Sequence, residues 1–385
     1  VPKIGRAARI APFHVMDVIA AANARQAALP AGAPHVIHME VGQPGTGAPA
    51  GAVAAALAAL QAGAPMGYTE AFGLPLLRER IAAHIRDWYG STVPRRRIAV
   101  TTGASGAFPL AFLAAFDSGD RVALAAPFYP PYVNILTALG IEPVILQAGA
   151  ESRFQPTVAM LDKLDPPPHG LIFASPCNPV GSMLHADEFA ALARWCVDHD
   201  VRLISDEIYH GLTYGETPVT AADIPGAIVI NSFSKYFSMT GWRVGWMVLP
   251  EELIRPVECL AQNFFISAPH VSQIAAAAAF DCHTELQRNI EAYRRSRSFL
   301  LQALPQAGFD RLSPAEGAFY IFADVSARTP DAADLCARML SQAGIAAAPG
   351  VDFDRLRGSH FIRFSYCGPE ADMRIAPERL AQLSL

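Results

Sequence analysis

Between residues 97 and 250 the chain repeats one unit, a short apolar run, a loop and an amphipathic stretch, and this alternation limits the possible folds more than any other feature. The apolar runs fall at 97–101, 121–125, 143–147, 171–174, 201–205, 227–231 and 243–249. Several are apolar throughout, as strands are when helices cover both faces of their sheet. Helical spacing fills gaps between them at 107–116, 131–139 and 186–199. The alternation predicts an α/β domain, a mainly parallel sheet sandwiched by helices. After Glu251 the texture changes. Helical stretches at 251–264, 271–280 and 285–304 lead to short strands at 318–323 and 360–366, flanked by helices at 332–343 and 377–383. This second part reads as a smaller α+β domain. A chain of 385 residues, 52% of them hydrophobic, has the material for two domains sharing a site.

The charge pattern narrows the partners. Net charge is −5, and acids and bases are interleaved, so no basic stripe is present to hold a nucleic-acid backbone. The most apolar stretches, such as 274–280, are too short to span a bilayer. The opening Val1-Pro2-Lys3-Ile4-Gly5-Arg6 lacks the apolar run of a signal peptide. The six cysteines are scattered without a CxxC pair, which argues against both a disulfide framework and a zinc site. A cytoplasmic location and no metal are expected.

Ligands of open α/β sheets bind beyond the carboxyl ends of the strands. Five of the expected strands run into polar or special residues there. They lead to Gly103-Ala104-Ser105-Gly106, to Pro127-Phe128-Tyr129, to Asn178-Pro179-Val180-Gly181, to Asp206-Glu207-Ile208-Tyr209 and to Ser232-Phe233-Ser234-Lys235. Gly103 to Gly106 opens a helix, whose free N–H groups favour a phosphate, although an ordinary strand–helix turn has the same composition. Neither a dinucleotide G-x-G-x-x-G nor a Walker A motif is present. Asp206 follows a mostly apolar run, so its carboxylate needs a cationic partner: a structural arginine, or the pyridinium nitrogen of pyridoxal phosphate (PLP). Tyr209 is either a core aromatic or a contact to that cofactor's phenolic oxygen. Lys235 is either a solvated charge or a lysine that loses its proton and forms a Schiff base. Arg243, with Ser232 and Ser234, would add a phosphate clamp. Arg363 sits in an otherwise apolar strand, as a buried ion pair or as a two-pronged clamp on a substrate carboxylate.

Taken in order, these segments resemble the fold-type I, class I/II aminotransferases, the aspartate-aminotransferase-like family. The resemblance runs from Glu40-Val41-Gly42-Gln43-Pro44 to Arg363. It is sharpest at Ser232-Phe233-Ser234-Lys235-Tyr236-Phe237-Ser238-Met239-Thr240-Gly241-Trp242-Arg243-Val244-Gly245, which is similar to the family's cofactor-lysine segment. It implies a large PLP-binding domain at 45–265 and a small domain made of 1–44 and 266–385. It assigns Lys235 to the aldimine and the proton shuttle, Asp206 to the pyridine nitrogen, and Asn178 and Tyr209 to the phenolic oxygen. Tyr129 would stack on the ring, and the backbone of Ala104 and Ser105, with Ser232, Ser234 and Arg243, would hold the phosphate. Tyr68 would reach the phosphate of a partner subunit in a homodimer with shared sites. Gly42, Asn178 and Arg363 would meet the substrate carboxylate.

The implied activity is amino transfer from an L-amino acid to a 2-oxo acid. A β-lyase or a cyclising synthase would use the same lysine, and a non-catalytic PLP-binding regulatory domain is the alternative from another class. One departure concerns the substrate: after Gly-x-Pro the family commonly has an acid and an aromatic, whereas this chain has Gly45-Thr46. Residues 13–19, 41–48, 66–73 and 264–270, expected around the substrate, contain no Lys or Arg. Their apolar members, Phe13, Val15, Phe72, Phe264, Phe265 and Ile266, point to a neutral or aromatic amino acid. Glutamate and 2-oxoglutarate remain open as a donor–acceptor pair through an inter-subunit basic residue.

Overall fold

The computed structural model describes residues 2–383. The chain enters through α1 (His14–Ala28), β1 (Ile37–Met39), α2 (Ala50–Gln61) and α3 (Pro75–Tyr89). The alternating region follows as β2 (Ile98–Thr101), α4 (Ala104–Ala115), β3 (Arg121–Ala126), α5 (Pro131–Leu139), β4 (Glu142–Gln147), α6 (Val158–Leu161), β5 (Gly170–Ala174), α7 (Ala186–Asp198), β6 (Arg202–Asp206), β7 (Ile228–Ser232) and β8 (Gly245–Val248). The last part holds α8 (Ile254–Phe264), α9 (His270–Ala279), α10 (His283–Gln306), β9 (Arg311–Leu312), β10 (Tyr320–Asp324), α11 (Ala332–Arg338), β11 (Ile345–Pro349), β12 (Phe361–Ser365) and α12 (Glu370–Leu380).

All seven strands expected between 97 and 250 form, with ends within two residues of those bounds. They make one sheet in the order β2-β8-β7-β6-β5-β3-β4, parallel except for β8, which runs against both neighbours. Their side chains alternate between two cores, as strand geometry requires. Leu171, Phe173, Leu203 and Val229 pack toward α3, α7, α9 and α10. Ile172, Ile204, Ile228 and Ile230 pack toward α4, α5 and α8. Local signals set the helix ends. Pro75 and Pro131 start α3 and α5, and the left-handed Gly90 and Gly140 end them.

Register places the site. Ala174 pairs with Asp206 and Asp206 with Ile230, while Gly245 lies between Thr101 and Ser232. The ends of β2, β5, β6 and β7 therefore share one edge. A Cβ on Gly245 would come within 2.9 Å of Ala104 N, so only glycine lets the start of α4 lie against the sheet here.

The second sheet has the order β1-β11-β12-β10-β9, with Arg363 in the middle of β12 facing Phe322 and Ala348. Three expected elements need correction. The last helix begins at Glu370, seven residues before the expected 377, and Pro377 is buried within it. The expected helix at 332–343 is α11 followed by a π turn, Met339–Ala343, ending at left-handed Gly344. The expected strand at 243–249 starts at Gly245, because Arg243 takes a left-handed φ of 53° and turns the chain before it.

Candidate functional site

A cavity of about 320 Å³ opens at the shared strand edge. One end is formed by α4. Its cap residue Gly103 has φ 73° and offers no side chain to the first N–H groups. Those donors carry the positive end of the helix dipole. Arg243 lies against the same turn, since a Cβ on Gly103 would be 2.5 Å from its Nη2. The Arg243 guanidinium is steadied by Nη1 donating to Thr240 O at 2.8 Å. Ser234 lines the cavity beside it. Ser232 stands one layer behind, 2.8 Å from the Ser234 hydroxyl and donating to Val244 O. Ala104, Ser105, Ser234 and Arg243 thus converge on one corner whose donors and charge suit an anion.

Asp206, the last residue of β6, is buried. It accepts from the Tyr132 hydroxyl and from Ile208 N at 3.1 Å. No arginine or lysine pairs with it among the described residues, which removes the structural-arginine reading. Burial pushes its carboxyl up to about 6, against the pull of Tyr132, Ile208 and Lys235. Across the cavity Lys235 Nζ donates to Gly42 O at 2.6 Å. Loss of solvent, with Arg363 and Arg243 nearby, brings its ammonium down to about 8. An amine with that acidity exchanges its proton readily near neutral pH.

Arg363 is buried between the rings of Tyr320 and Phe353, at 4.5 and 4.7 Å. Nη1 donates to Asn178 Oδ1 at 2.8 Å and Nη2 to Glu40 O. Among the described residues no carboxylate pairs with it, and Nε has no acceptor. A buried guanidinium without an anion is costly, so the ion-pair reading fails and an incoming carboxylate is the natural complement. Tyr209 lines the same cavity, and its hydroxyl is 2.8 Å from that of Tyr320. Tyr129 covers the remaining side, edge-on to Tyr132 and Phe13.

The outer wall comes from the start of the chain. Phe13, Val15, Met16 and Ile19 line the cavity. Asp352 fixes this segment, accepting from His14 N at 2.9 Å and Val15 N at 2.8 Å. Other parts of the expected substrate wall lie elsewhere. Phe72 is in the core below the sheet edge, and Phe264, Phe265 and Ile266 are 38–54% exposed outside the cavity. Tyr68 is 82% exposed and does not reach this chain's own cavity. Tyr132 and Tyr320 belong to the site but stand in none of the motifs that mark it in the sequence, because both fall on apolar positions of regular elements. The only hint of them was a hydroxyl inside an otherwise apolar pattern.

A doubly covered sheet whose strand ends bring a lysine, a buried carboxylate and an anion corner into one cavity defines the fold type I PLP-dependent transferases. The chain belongs to the family "aminotransferase class I and II", which it matches over residues 34–380. A valine–pyruvate aminotransferase of Mycobacterium tuberculosis is 47% identical over 385 residues, 98% of this chain and 97% of its own. The crystal structure of an aminotransferase from the same organism matches with a TM-score of 0.95 at 47% identity, over 99% of this chain and 98% of that one. Aspartate aminotransferase of Thermus thermophilus with maleate matches with a TM-score of 0.93 at 29% identity over the whole of both chains. This chain is therefore a PLP-dependent aminotransferase acting on amino acids and 2-oxo acids. No helix among the described residues is long and apolar enough to cross a membrane.

Proposed function

We propose that this enzyme transfers the amino group of a neutral, apolar or aromatic L-amino acid to a 2-oxo acid, with Lys235 as the residue that carries the cofactor and moves the proton. The cavity suits PLP on its own chemistry. Asp206 is a buried carboxylate lacking a cation, which a pyridinium nitrogen would supply. The uncapped start of α4, with Arg243 and Ser234, suits a phosphate. When bound, the cofactor supplies an electron sink for the charge left on the substrate Cα.

The chain's own residues do the rest. Arg363, with Asn178 beside it, holds the α-carboxylate and so fixes where Cα lies. Lys235 would hold the cofactor and, as a free amine, would take the Cα proton and return one to the same carbon in the reverse half-reaction. Phe13, Val15, Met16 and Ile19 exclude water from that exchange and receive the side chain. The observation that carries this reading is that Lys235, Asp206 and the unpaired Arg363 face one cavity. The name of the M. tuberculosis relative, a valine–pyruvate enzyme, supports the neutral substrate. The test is kcat/KM for a panel of amino acids with one fixed oxo acid. Aspartate outranking valine, methionine and phenylalanine by about tenfold, ~1.4 kcal/mol, would refute the substrate assignment.

We further infer a homodimer with shared sites. Tyr68 is exposed, as are Leu57, Leu60, Phe264, Phe265 and Ile266, a set of apolar side chains that a second copy would cover. Sedimentation at micromolar concentration tests it. The proposed division puts 45–265 in the large domain and 1–44 with 266–385 in the small one. In that division α9 bridges the two, because it packs on α2 and α3. Six unpaired cysteines, four of them buried, suit the reducing cytoplasm, where we place the enzyme.

A further inference from the structure

Tyr320 is 1% exposed and yet borders the cavity. Elsewhere in this region the tyrosine hydroxyls of Tyr214 and Tyr366 both donate to the main chain, at Ala318 O. The Tyr320 hydroxyl makes no main-chain hydrogen bond among the described residues, and its partner is the Tyr209 hydroxyl at 2.8 Å. Its ring lies 4.5 Å from the Arg363 guanidinium. Its hydroxyl also occupies the space beside Gly42, where an added Cβ would be only 1.8 Å away. Gly42 in turn supplies the carbonyl that receives the Lys235 ammonium. The supports of the phenolic-oxygen contact, the carboxylate clamp and the lysine all meet at this one side chain.

Either hydroxyl can donate in the Tyr320–Tyr209 pair, and the groups around it favour Tyr320 as the donor. Burial raises both phenols and Arg363 pulls both back down, but Tyr320 and Asp206 push Tyr209 further up. The more acidic phenol is the better donor.

On the reading of the site given above, we propose that Tyr320 is a positioning residue: its hydroxyl donates to the Tyr209 oxygen and leaves the Tyr209 hydrogen free for the cofactor's phenolic oxygen, while its ring seats Arg363. A donor drains negative charge from the phenolic oxygen, which then holds a neighbouring proton less tightly. Losing that donor raises the pH at which the bound cofactor's visible absorbance changes.

The test uses purified holoenzyme and the variants Tyr320→Phe, Tyr209→Phe, their double and Tyr320→Leu. Tyr320→Phe keeps the ring, so its melting temperature serves as the folding control. It is expected to raise the absorbance midpoint by about half a pH unit or more. Its kcat should fall about tenfold with KM changed less than about threefold, because the carboxylate clamp is intact. The double variant should titrate like Tyr209→Phe alone, since the first hydroxyl acts only through the second. Tyr320→Leu should also weaken binding of 2-methylalanine, which has no Cα proton to lose, by about tenfold. A Tyr320→Phe midpoint equal to wild type, or additive shifts in the double, overturns the proposal. Borohydride reduction followed by peptide mapping separates this from the reading beneath it. A label on another lysine defeats the assignment of Lys235, whereas a label on Lys235 with an unshifted Tyr320→Phe defeats only the role of Tyr320.

Discussion

Replacing Arg363 with leucine removes a buried cation that pairs with no carboxylate among the described residues. A guanidinium has five N–H donors, and Arg363 uses two of them, on Asn178 and Glu40. Three remain without protein acceptors among the described residues, enough for a two-pronged grip on a carboxylate. Charge-assisted hydrogen bonds contribute about 1.5–3 kcal/mol each. Partial rehydration of the leucine cavity offsets some of that, leaving a loss of roughly 3–4 kcal/mol, or a fall in kcat/KM on the order of a few hundredfold. The grip is made before and during the chemistry, so most of the loss belongs in KM.

Steady-state kinetics on an amino acid and on the corresponding amine without the carboxylate isolates the effect. Amino-acid turnover collapses while turnover of the amine is nearly unchanged. Arg363→Lys should recover only about tenfold, because a point charge cannot bridge two carboxylate oxygens while also holding Asn178 and Glu40. The Asn178 amide and the Glu40 carbonyl lose their donor in the leucine variant, at a cost to stability of about 1–3 kcal/mol, so a melting curve accompanies the assay. A folded Arg363→Leu enzyme with amino-acid kcat/KM within about threefold of wild type would refute the clamp.

Asp206→Ala should lower kcat by on the order of a thousandfold, about 4 kcal/mol, with a much smaller effect on cofactor affinity; near-normal kcat in single-turnover assays would remove Asp206 from its role. Mixing Lys235→Ala chains with Tyr68→Phe chains should restore activity, because some sites then carry both residues intact; a fully active monomer on sedimentation counts against shared sites. The pH dependence of stability has a named source. Burial lowers His84 and His210 to about 3 from an ordinary 6.5. Their contribution is present above pH 6.5 and drains away as pH falls toward 3, since the unfolded chain takes the protons first. Buried Glu207, raised from 4.5 to about 8, has the opposite sign: its contribution is present below 4.5 and lost as pH rises through 8. His84 is packed among Trp88, Phe237 and Phe280. His84→Phe should therefore melt with a shallower acid limb between pH 6.5 and 4 than wild type, measured by thermal denaturation; parallel curves would contradict this.

The sheet could be read from the sequence because its strands are short apolar runs with both faces covered, and such runs are local. The site could be read for a related reason: Asp206 ends a strand, Asn178 and Lys235 follow strands by a few residues, and a parallel sheet brings those ends to one edge. What was hidden depends on distance along the chain. Asp352 holds the start of α1 from more than 330 residues away, and no spacing announces that. β1 has three residues and exists only because β11 runs beside it. Phe264, Phe265 and Ile266 are apolar, but whether they face their own cavity or a neighbour's surface is decided by packing. Pro377 looked like a helix start because proline favours the first turn. It lies inside α12 instead, in a helix whose first turn carries the acids Glu370 and Asp372.

The substrate preference follows from counting charges inside the cavity. Its lining holds three cations, Lys235, Arg243 and Arg363. On the proposed reading each is committed: Arg243 to the phosphate, Arg363 to the α-carboxylate, and Lys235 to the proton exchange, which requires it to be neutral for part of each cycle. A side-chain carboxylate would be a further anion, and the wall it would meet is Phe13, Val15, Met16 and Ile19. Burying an unpaired carboxylate against such a surface costs several kcal/mol, more than the single methylenes that separate valine from its larger homologues. The wall should therefore reject aspartate strongly and sort neutral side chains weakly. Met16 is the position to probe, being unbranched and 58% exposed at the mouth. Met16→Arg supplies the missing cation and should raise kcat/KM for aspartate by about tenfold or more while lowering that for valine. If aspartate gains nothing, the side chain does not lie against α1.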